Sequence, residues 1–369
     1  MRILFSAQNF LNEAGGAEFC AQNLLKSLAK KHEVHVLSRG KRGDYIWEGV
    51  RVHEIRCPNS IPYIHLRWKR HLDSLKIKPD LFITQLNAAA PTVAWAKKQG
   101  IPAIFYVHSF EHFCQESFDG KDVLGCGQRC HACGGLRRMI RSPAYKLLQR
   151  MNKKAILDAD MVISPSRYMA ELVRHYTGRV CDVVPNPLDL ERTRTKERGD
   201  GVLFVNPWRH KGADLVAKLI RLLPERRFII AGVLEKGFEH LKDGKNVEYL
   251  GRVGDMREAY GKAKVLIAPS TQADNFPSVI LEAMANGMPC ITSDAAGVSE
   301  AGGDASIKIP SDDVEAWVRE IGRLYANLEY YDKAKKASLK RAGGFTLEKS
   351  LAAFDDAVGR RLGFRLLGR

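Results

Sequence analysis

Short apolar runs recur along the first half of the chain at Arg2–Ala7, Glu33–Leu37, Val50–Ile55, Leu81–Thr84, Ala103–Val107 and Met161–Ser164. Their length and composition predict buried strands. Helix-length stretches separate them; over Ala17–Lys31, for example, Phe19, Leu24, Leu25 and Leu28 fall at helical spacing. The beat restarts at Gly201. Strands are predicted over Val202–Val205, Arg227–Gly232, Val247–Leu250, Val265–Ala268, Pro289–Thr292 and Ser306–Ile309, with helices near Ala213–Leu223, Met256–Ala263 and Pro277–Asn286. Such alternation is the signature of parallel sheets covered by helices on both faces. Between the halves, Asp189–Asp200 is polar and lacks apolar periodicity. The expectation is therefore two α/β domains, 1–186 and 201–345, joined by a linker over 187–200.

Length and charge sharpen this picture. The chain has 369 residues, long enough for two domains, and 45% of them are apolar, which excludes a largely disordered protein. The net charge is +16, unevenly spread: residues 1–154 carry 25 basic and 12 acidic side chains, and residues 155–369 carry 33 and 30. The first half thus calls for an anionic partner, whether nucleic acid, an acidic lipid surface or a charged acceptor. Its charge concentrates in His65–Lys78 and in the acid-free Leu136–Lys154, both interleaved with apolar residues. Such helices suit either an anionic membrane surface or a solvated face over a packed core. The tail Gly359–Arg369 is a third, weaker basic and apolar candidate. No apolar run reaches the roughly 18 residues of a membrane span, and Met1–Ala7 lacks the apolar core of a signal peptide. A cytoplasmic protein, peripheral on the membrane face, is the expectation.

Three loops offer phosphate-binding chemistry. Gly15 and Gly16 open a helix after the first strand, where a backbone can approach an anion closely; a plain tight turn serves equally. The stretch Ala268–Gly287 ends one strand and builds one helix. Pro277 suits its first position and Gly287 its stop, leaving the amides of Asn275, Phe276, Ser278 and Val279 as unpaired donors. Asp274 precedes this helix and Glu282 lies about 7–8 Å along it, so a diphosphate on the amides would place one carboxylate near each end of an extended ligand. Asn206, Arg209 and Lys211 stand in a third strand-to-helix loop, and Lys211 and Arg209 supply the charge a leaving diphosphate requires.

Cys114, Cys126, Cys130 and Cys133 crowd into one glycine-rich loop. Four thiolates at this spacing suit a closed tetrahedral zinc site, with an iron–sulfur cluster in second place, His108, His112 and His131 as alternative ligands, and incidental free cysteines as the bland reading. A closed site is structural, so no catalytic metal is expected. Cys20, Cys57, Cys181 and Cys290 read as packing residues.

The acids Asp274 and Glu282, with seven residues between them and followed by Ala283-Met284-Ala285-Asn286-Gly287-Met288-Pro289, resemble the donor-site motif of the retaining GT-B glycosyltransferases of family 4, group 1 type. The resemblance extends to Gly15-Gly16, His108, Ser164-Pro165-Ser166, Val184-Pro185-Asn186-Pro187, Lys211-Gly212 and Gly297-Val298-Ser299-Glu300. It implies two Rossmann-like domains facing a cleft. The N-terminal one would bind the acceptor and be completed by a C-terminal helix over 346–369; a subset of the family carries a cysteine-bearing insertion, here 113–134. It further implies a hexosyltransferase using a UDP- or GDP-linked sugar and a glycan or lipid-linked acceptor in surface polysaccharide or glycolipid synthesis. Glu282 would hold the ribose, Asp274 the donor sugar, Lys211 the diphosphate, and His108 would sit beside the transferred sugar. Two residues depart from the family: Asp274 replaces a glutamate, and Asn206 an arginine that partners the lysine. The alternatives are a sugar-nucleotide-binding relative of little activity and a basic, metal-containing nucleic-acid-binding protein. The donor motif argues against the latter, so no nucleic-acid partner is expected.

Overall fold

The computed structural model describes residues 1–11, 15–57, 61–113 and 136–368. The four clustered cysteines, Cys114, Cys126, Cys130 and Cys133, lie outside the described residues. Among the described residues the chain forms two compact units: 1–187 with 350–368, and Leu188–Lys349.

The first unit is built on β1 (Arg2–Ser6), β2 (Glu33–Arg39), β3 (Asp44–Trp47), β4 (Val50–Ile55), β5 (Leu81–Gln85), β6 (Ala103–Tyr106), β7 (Met161–Ser164) and β8 (Asp182–Val183). Their order is β3-β4-β2-β1-β5-β6-β7-β8. Every pairing is parallel except the β3–β4 hairpin at the edge. On one face Phe5, Val36, Ile83, Ile104 and Tyr106 pack under Leu24, Leu25 and Leu28 of helix Gly16–Leu28. On the other, Trp68 of helix Ile61–Ser74 is fully buried and donates its indole N–H to Ser6 Oγ at 2.7 Å. Trp68 and Leu72 therefore serve the core and not a membrane surface, because burying an indole requires a partner for its N–H. On this helix Leu66 remains exposed beside Arg67, Lys69 and Arg70.

The C-terminal tail is also core and not a surface patch. Helix Leu347–Leu362 contributes Phe354, Ala357 and Val358 to the first unit, and the following chain adds Leu366. The buried Asp355 accepts the Leu366 and Leu367 amides at 2.6 and 2.8 Å, which fixes the turn that tucks Leu366 inward.

The second unit contains β9 (Gly201–Val205), β10 (Phe228–Ala231), β11 (Val247–Gly251), β12 (Ala263–Ala268), β13 (Cys290–Thr292) and β14 (Ile307–Lys308). All are parallel, in the order β11-β10-β9-β12-β13-β14. The segment read from sequence as a linker is pinned to this unit. Asp189 caps a short helix, Leu190–Thr193; Arg194 donates to the Ala285 carbonyl at 3.2 Å, and the Thr195 amide donates to Asn286 Oδ1 at 2.9 Å.

Candidate functional site

In each sheet the strand order reverses once, between β1 and β5 in the first unit and between β9 and β12 in the second. Loops leaving neighbouring strands diverge at such a point and open a crevice at the carboxyl ends.

In the second unit the two diverging loops carry Lys211 and Asp274. The loop after β9 turns at Asn206, whose φ of 57° is left-handed. Asparagine tolerates that conformation better than arginine does, a local reason for the residue found here. A 3-10 turn, Arg209–Lys211, follows, then Gly212 at φ 93°, where a Cβ would stand 2.2 Å from the Pro269 carbonyl oxygen. That close approach joins the β9 loop to the β12 loop and brings the Lys211 ammonium onto the Asp274 carboxylate as an ion pair. Burial pushes the Asp274 carboxyl up, but the Lys211 charge, its hydrogen bond and the Asn275 amide together hold it below the usual carboxylate range. The Asp274 backbone is held too. Its amide donates to the Ala296 carbonyl at 2.9 Å, and Gly297, at φ 77°, would place a Cβ 1.7 Å from the Asp274 carbonyl oxygen.

Helix Ser278–Ala285 begins one residue later than the sequence predicts. Pro277 is its cap, with extended backbone, and lies outside the first turn. Nor is the Asn275 amide an open donor, because it is bound to Asp274 Oδ1 at 2.7 Å. The first-turn amides of Ser278 and Val279 lack intrahelical partners by geometry, and Phe276 is buried in the core behind them. One turn on, Glu282 accepts a hydrogen bond from the buried Tyr260 hydroxyl at 2.5 Å. Tyr260 stands 22 residues away in sequence, and no local pattern marked it. Arg209, by contrast, is turned to its own neighbours: its guanidinium is 3.2 Å from Asp214 and lies over the Phe238 ring.

At the carboxyl ends of the first unit's strands stand Gly15 and Gly16 beyond β1, Gln85 at the end of β5, and Tyr106 and His108 at and just past the end of β6. The helix N-terminus at Gly15 and Gly16 carries its own carboxylate. Glu18 reaches back to accept the Gly15 amide at 2.9 Å, so this end is less open to an anion than the glycines alone suggest. His108 is buried against the Tyr106 ring, with centroids 3.9 Å apart. Burial, with a smaller contribution from His112, holds its pKa down to about 3, so the ring is neutral at pH 7. Gln85 escaped the sequence reading. It is fully buried in register with Tyr106, and neither of its amide atoms has a hydrogen-bond partner among the described residues. The next residue, Leu86, is left-handed at φ 53°. Among the described residues no group of three or more His, Cys, Asp or Glu is arranged to hold a metal ion.

Sequence models of two families match the chain consecutively: Glycosyltransferase Family 4 over residues 14–192 and Glycosyl transferases group 1 over residues 200–327. The chain belongs to these glycosyltransferases. Among the relatives of this glycosyltransferase, a 42.6 kDa protein of the Klebsiella pneumoniae cps region is 23% identical over 81% of the chain and 86% of its own length. An exopolysaccharide phosphotransferase of Streptomyces coelicolor is 32% identical over 31% of the chain, a match spanning only 13% of that protein. Two solved structures share the fold over 98% of the chain. They are Anabaena HepE in complex with UDP (TM-score 0.75, 15% identity, 100% of that chain) and sucrose-phosphate synthase from Thermosynechococcus elongatus (TM-score 0.73, 16% identity, 99% of that chain). The glycosyltransferase thus has the GT-B fold of two Rossmann-like units. No helix among its described residues is long and apolar enough to cross a membrane.

Proposed function

We propose that this glycosyltransferase transfers a sugar, with retention, from a UDP- or GDP-linked donor to a glycan or lipid-linked acceptor in surface polysaccharide or glycolipid synthesis. The observation that carries the reading is the Lys211–Asp274 ion pair at the switch point of the second sheet, beside the helix start that leads to Glu282. Supporting context comes from the cps-region relative and from a fold neighbour that binds UDP.

In this reading the diphosphate takes the Lys211 ammonium and the amides of Ser278 and Val279, while the donor sugar's hydroxyls take Asp274. The ligand thereby replaces each partner of the resting ion pair: the diphosphate charge faces Lys211, and the hydroxyls supply hydrogen bonds to the Asp274 carboxylate. Glu282, oriented by Tyr260, accepts from the ribose hydroxyls. As the bond to the sugar breaks, negative charge grows on the diphosphate and Lys211 stabilises it. The departing diphosphate itself accepts the acceptor's proton on the same face, so no protein nucleophile is required. His108, neutral and poorly basic, lines the sugar as a polar surface rather than as a general base.

The basic face of the first unit, with Leu66 among Arg67, Lys69 and Arg70, suits an anionic leaflet that holds a lipid-linked acceptor. The thiolates of Cys114, Cys126, Cys130 and Cys133 suit structural zinc, and about one equivalent of zinc or iron is expected by elemental analysis. Less than about a tenth of an equivalent would end that part of the reading.

The test is a thermal-shift panel of UDP and GDP sugars followed by a transfer assay with the stabilising donor. Binding only to the native state raises its stability, by about 2.7 kcal/mol at a hundredfold excess over Kd. No shift with any nucleotide sugar would refute donor binding. A shift without transfer or hydrolysis would leave a binding protein.

A further inference from the structure

On the first unit, a cavity of about 260 Å³ opens between helix Leu136–Asp158, the end of helix Arg167–Thr177 and the turn at His112 and Phe113. Lys146, Arg150 and Lys153 line one wall. Their spacing of four and then three residues puts all three cations on one helix face. The opposite side is apolar and aromatic: Phe113 stacks on Tyr176 with ring centroids 5.3 Å apart, and the Gln149 side chain fixes this turn by donating to the Phe113 carbonyl at 2.8 Å. His112 completes the wall. Burial holds its imidazole down to about 4, outweighing the opposing influence of Asn152, so it is neutral at pH 7.

No carboxylate is among the described residues lining the cavity, and none of its three cations forms an ion pair with a described residue. The acid nearest in sequence, Asp158, is occupied by Lys97 at 2.6 Å and Lys154 at 2.8 Å. Like charges at this spacing repel and weaken a helix. An anion in the concavity they share would relieve that repulsion. The volume lies just under the usual range for small-molecule sites, a size for a headgroup rather than a whole lipid or nucleotide.

We propose that this cavity is a second phosphate site, separate from the donor chemistry of the second unit, which takes a phosphate or diphosphate group on Lys146, Arg150 and Lys153. The group could belong to a membrane lipid or to a soluble phosphate; both present the same charge-assisted acceptors to the three cations.

The full chain carrying Lys211→Ala, which silences the donor-side cation, is titrated calorimetrically with inorganic pyrophosphate. Adding Lys146→Gln, Arg150→Gln and Lys153→Gln should weaken binding at least about tenfold, or 1.4 kcal/mol. Adding Lys333→Gln, Lys336→Gln and Lys340→Gln instead, three exposed cations of helix Leu328–Ala342, which removes the same charge elsewhere, should change it less than about twofold. No pyrophosphate binding, or equal losses in the two triple variants, overturns the proposal. So does a lower melting temperature of the cavity variant without ligand, because the cations would then be serving internal packing. Sedimentation with phosphatidylglycerol vesicles distinguishes the sources. Displacement of the chain from them by pyrophosphate supports the cavity with a lipid phosphate as ligand; pyrophosphate binding without vesicle binding supports it with a soluble one. Neither arm requires glycosyl transfer, so failure here is distinct from failure of the proposed activity.

Discussion

Lys211→Ala separates two quantities that the ion pair ties together. Lys211 and Asp274 are each only 21% exposed. At an effective dielectric near 20 and a contact of about 3 Å, their attraction is about 5 kcal/mol before desolvation is counted. Desolvation and side-chain ordering remove much of this, leaving a net effect of about 1–3 kcal/mol when one partner is deleted. The alanine variant should therefore lose about that much stability in urea unfolding, because Asp274 keeps the Asn275 amide but loses its cation. Turnover should fall further, by about 10²–10³, the usual cost of removing one preorganised group facing developing charge. Adding Asp274→Asn discriminates between the two roles. It removes the orphaned carboxylate, so the double variant should be more stable than the sum of the single losses by about 1–2 kcal/mol. Turnover should not recover at all. Near-normal transfer by Lys211→Ala would refute the catalytic role, and strictly additive stability losses would refute the ion pair.

Tyr260→Phe should raise the donor KM about tenfold with little change in kcat, because it loses a hydrogen bond to a charged group worth about 1.5–3 kcal/mol that only orients Glu282; an unchanged KM would count against it. Gly297→Ala should cost about 1–3 kcal/mol and abolish donor-induced thermal shifts, since the left-handed backbone and the Asp274 carbonyl both exclude a Cβ; wild-type melting would contradict this. Acid should destabilise the first unit early. The folded pKa values of His108 and His112, about 3 and about 4, lie below the unfolded value near 6.5, so the unfolded chain takes up protons first. Stability from both is complete above pH 6.5 and falls toward pH 4 with a slope approaching about 1.4 kcal/mol per pH unit for each imidazole. Urea midpoints at pH 7, 6 and 5 test this, and His112→Gln should flatten the decline; a flat wild-type profile would oppose it.

Apart from the two-residue β8, the parallel strands were legible as short apolar runs, with β5, β6, β7 and β10 buried on both faces, and their alternation with helices leaves few arrangements open. β3 was not. It reaches β4 through Glu48 and Gly49, at φ 47° and 82°, a two-residue hairpin turn without the usual Asn-Gly or Asp-Gly signal. In the site, Asp274, Lys211 and Glu282 were legible because they sit at fixed distances from a helix start. Tyr260 reaches Glu282 from a separate helical turn, and Gln85 lies beside Tyr106 of a neighbouring strand. Those placements depend on which elements become neighbours, which local spacing does not encode, whereas Glu18 closes its helix end locally, at capping-box spacing from Gly15, a signal that the two glycines masked. The tail misled for a related reason: Phe364, Leu366 and Leu367, set among arginines, look like a surface patch until Asp355 turns the chain inward.

That tail has a consequence for biosynthesis. The first unit is interrupted in sequence by the whole of the second, residues 188–349, and its core includes Phe354, Ala357, Val358 and Leu366. A ribosome adding about 5–20 residues per second takes roughly 8–30 s to cross the interruption. Throughout that interval the first eight strands have emerged, but the hydrophobic seat under the last helix is uncovered. The contiguous second unit can complete its fold first, and the earlier-made unit is sealed last. During that wait the nascent chain is most exposed to chaperones and proteases.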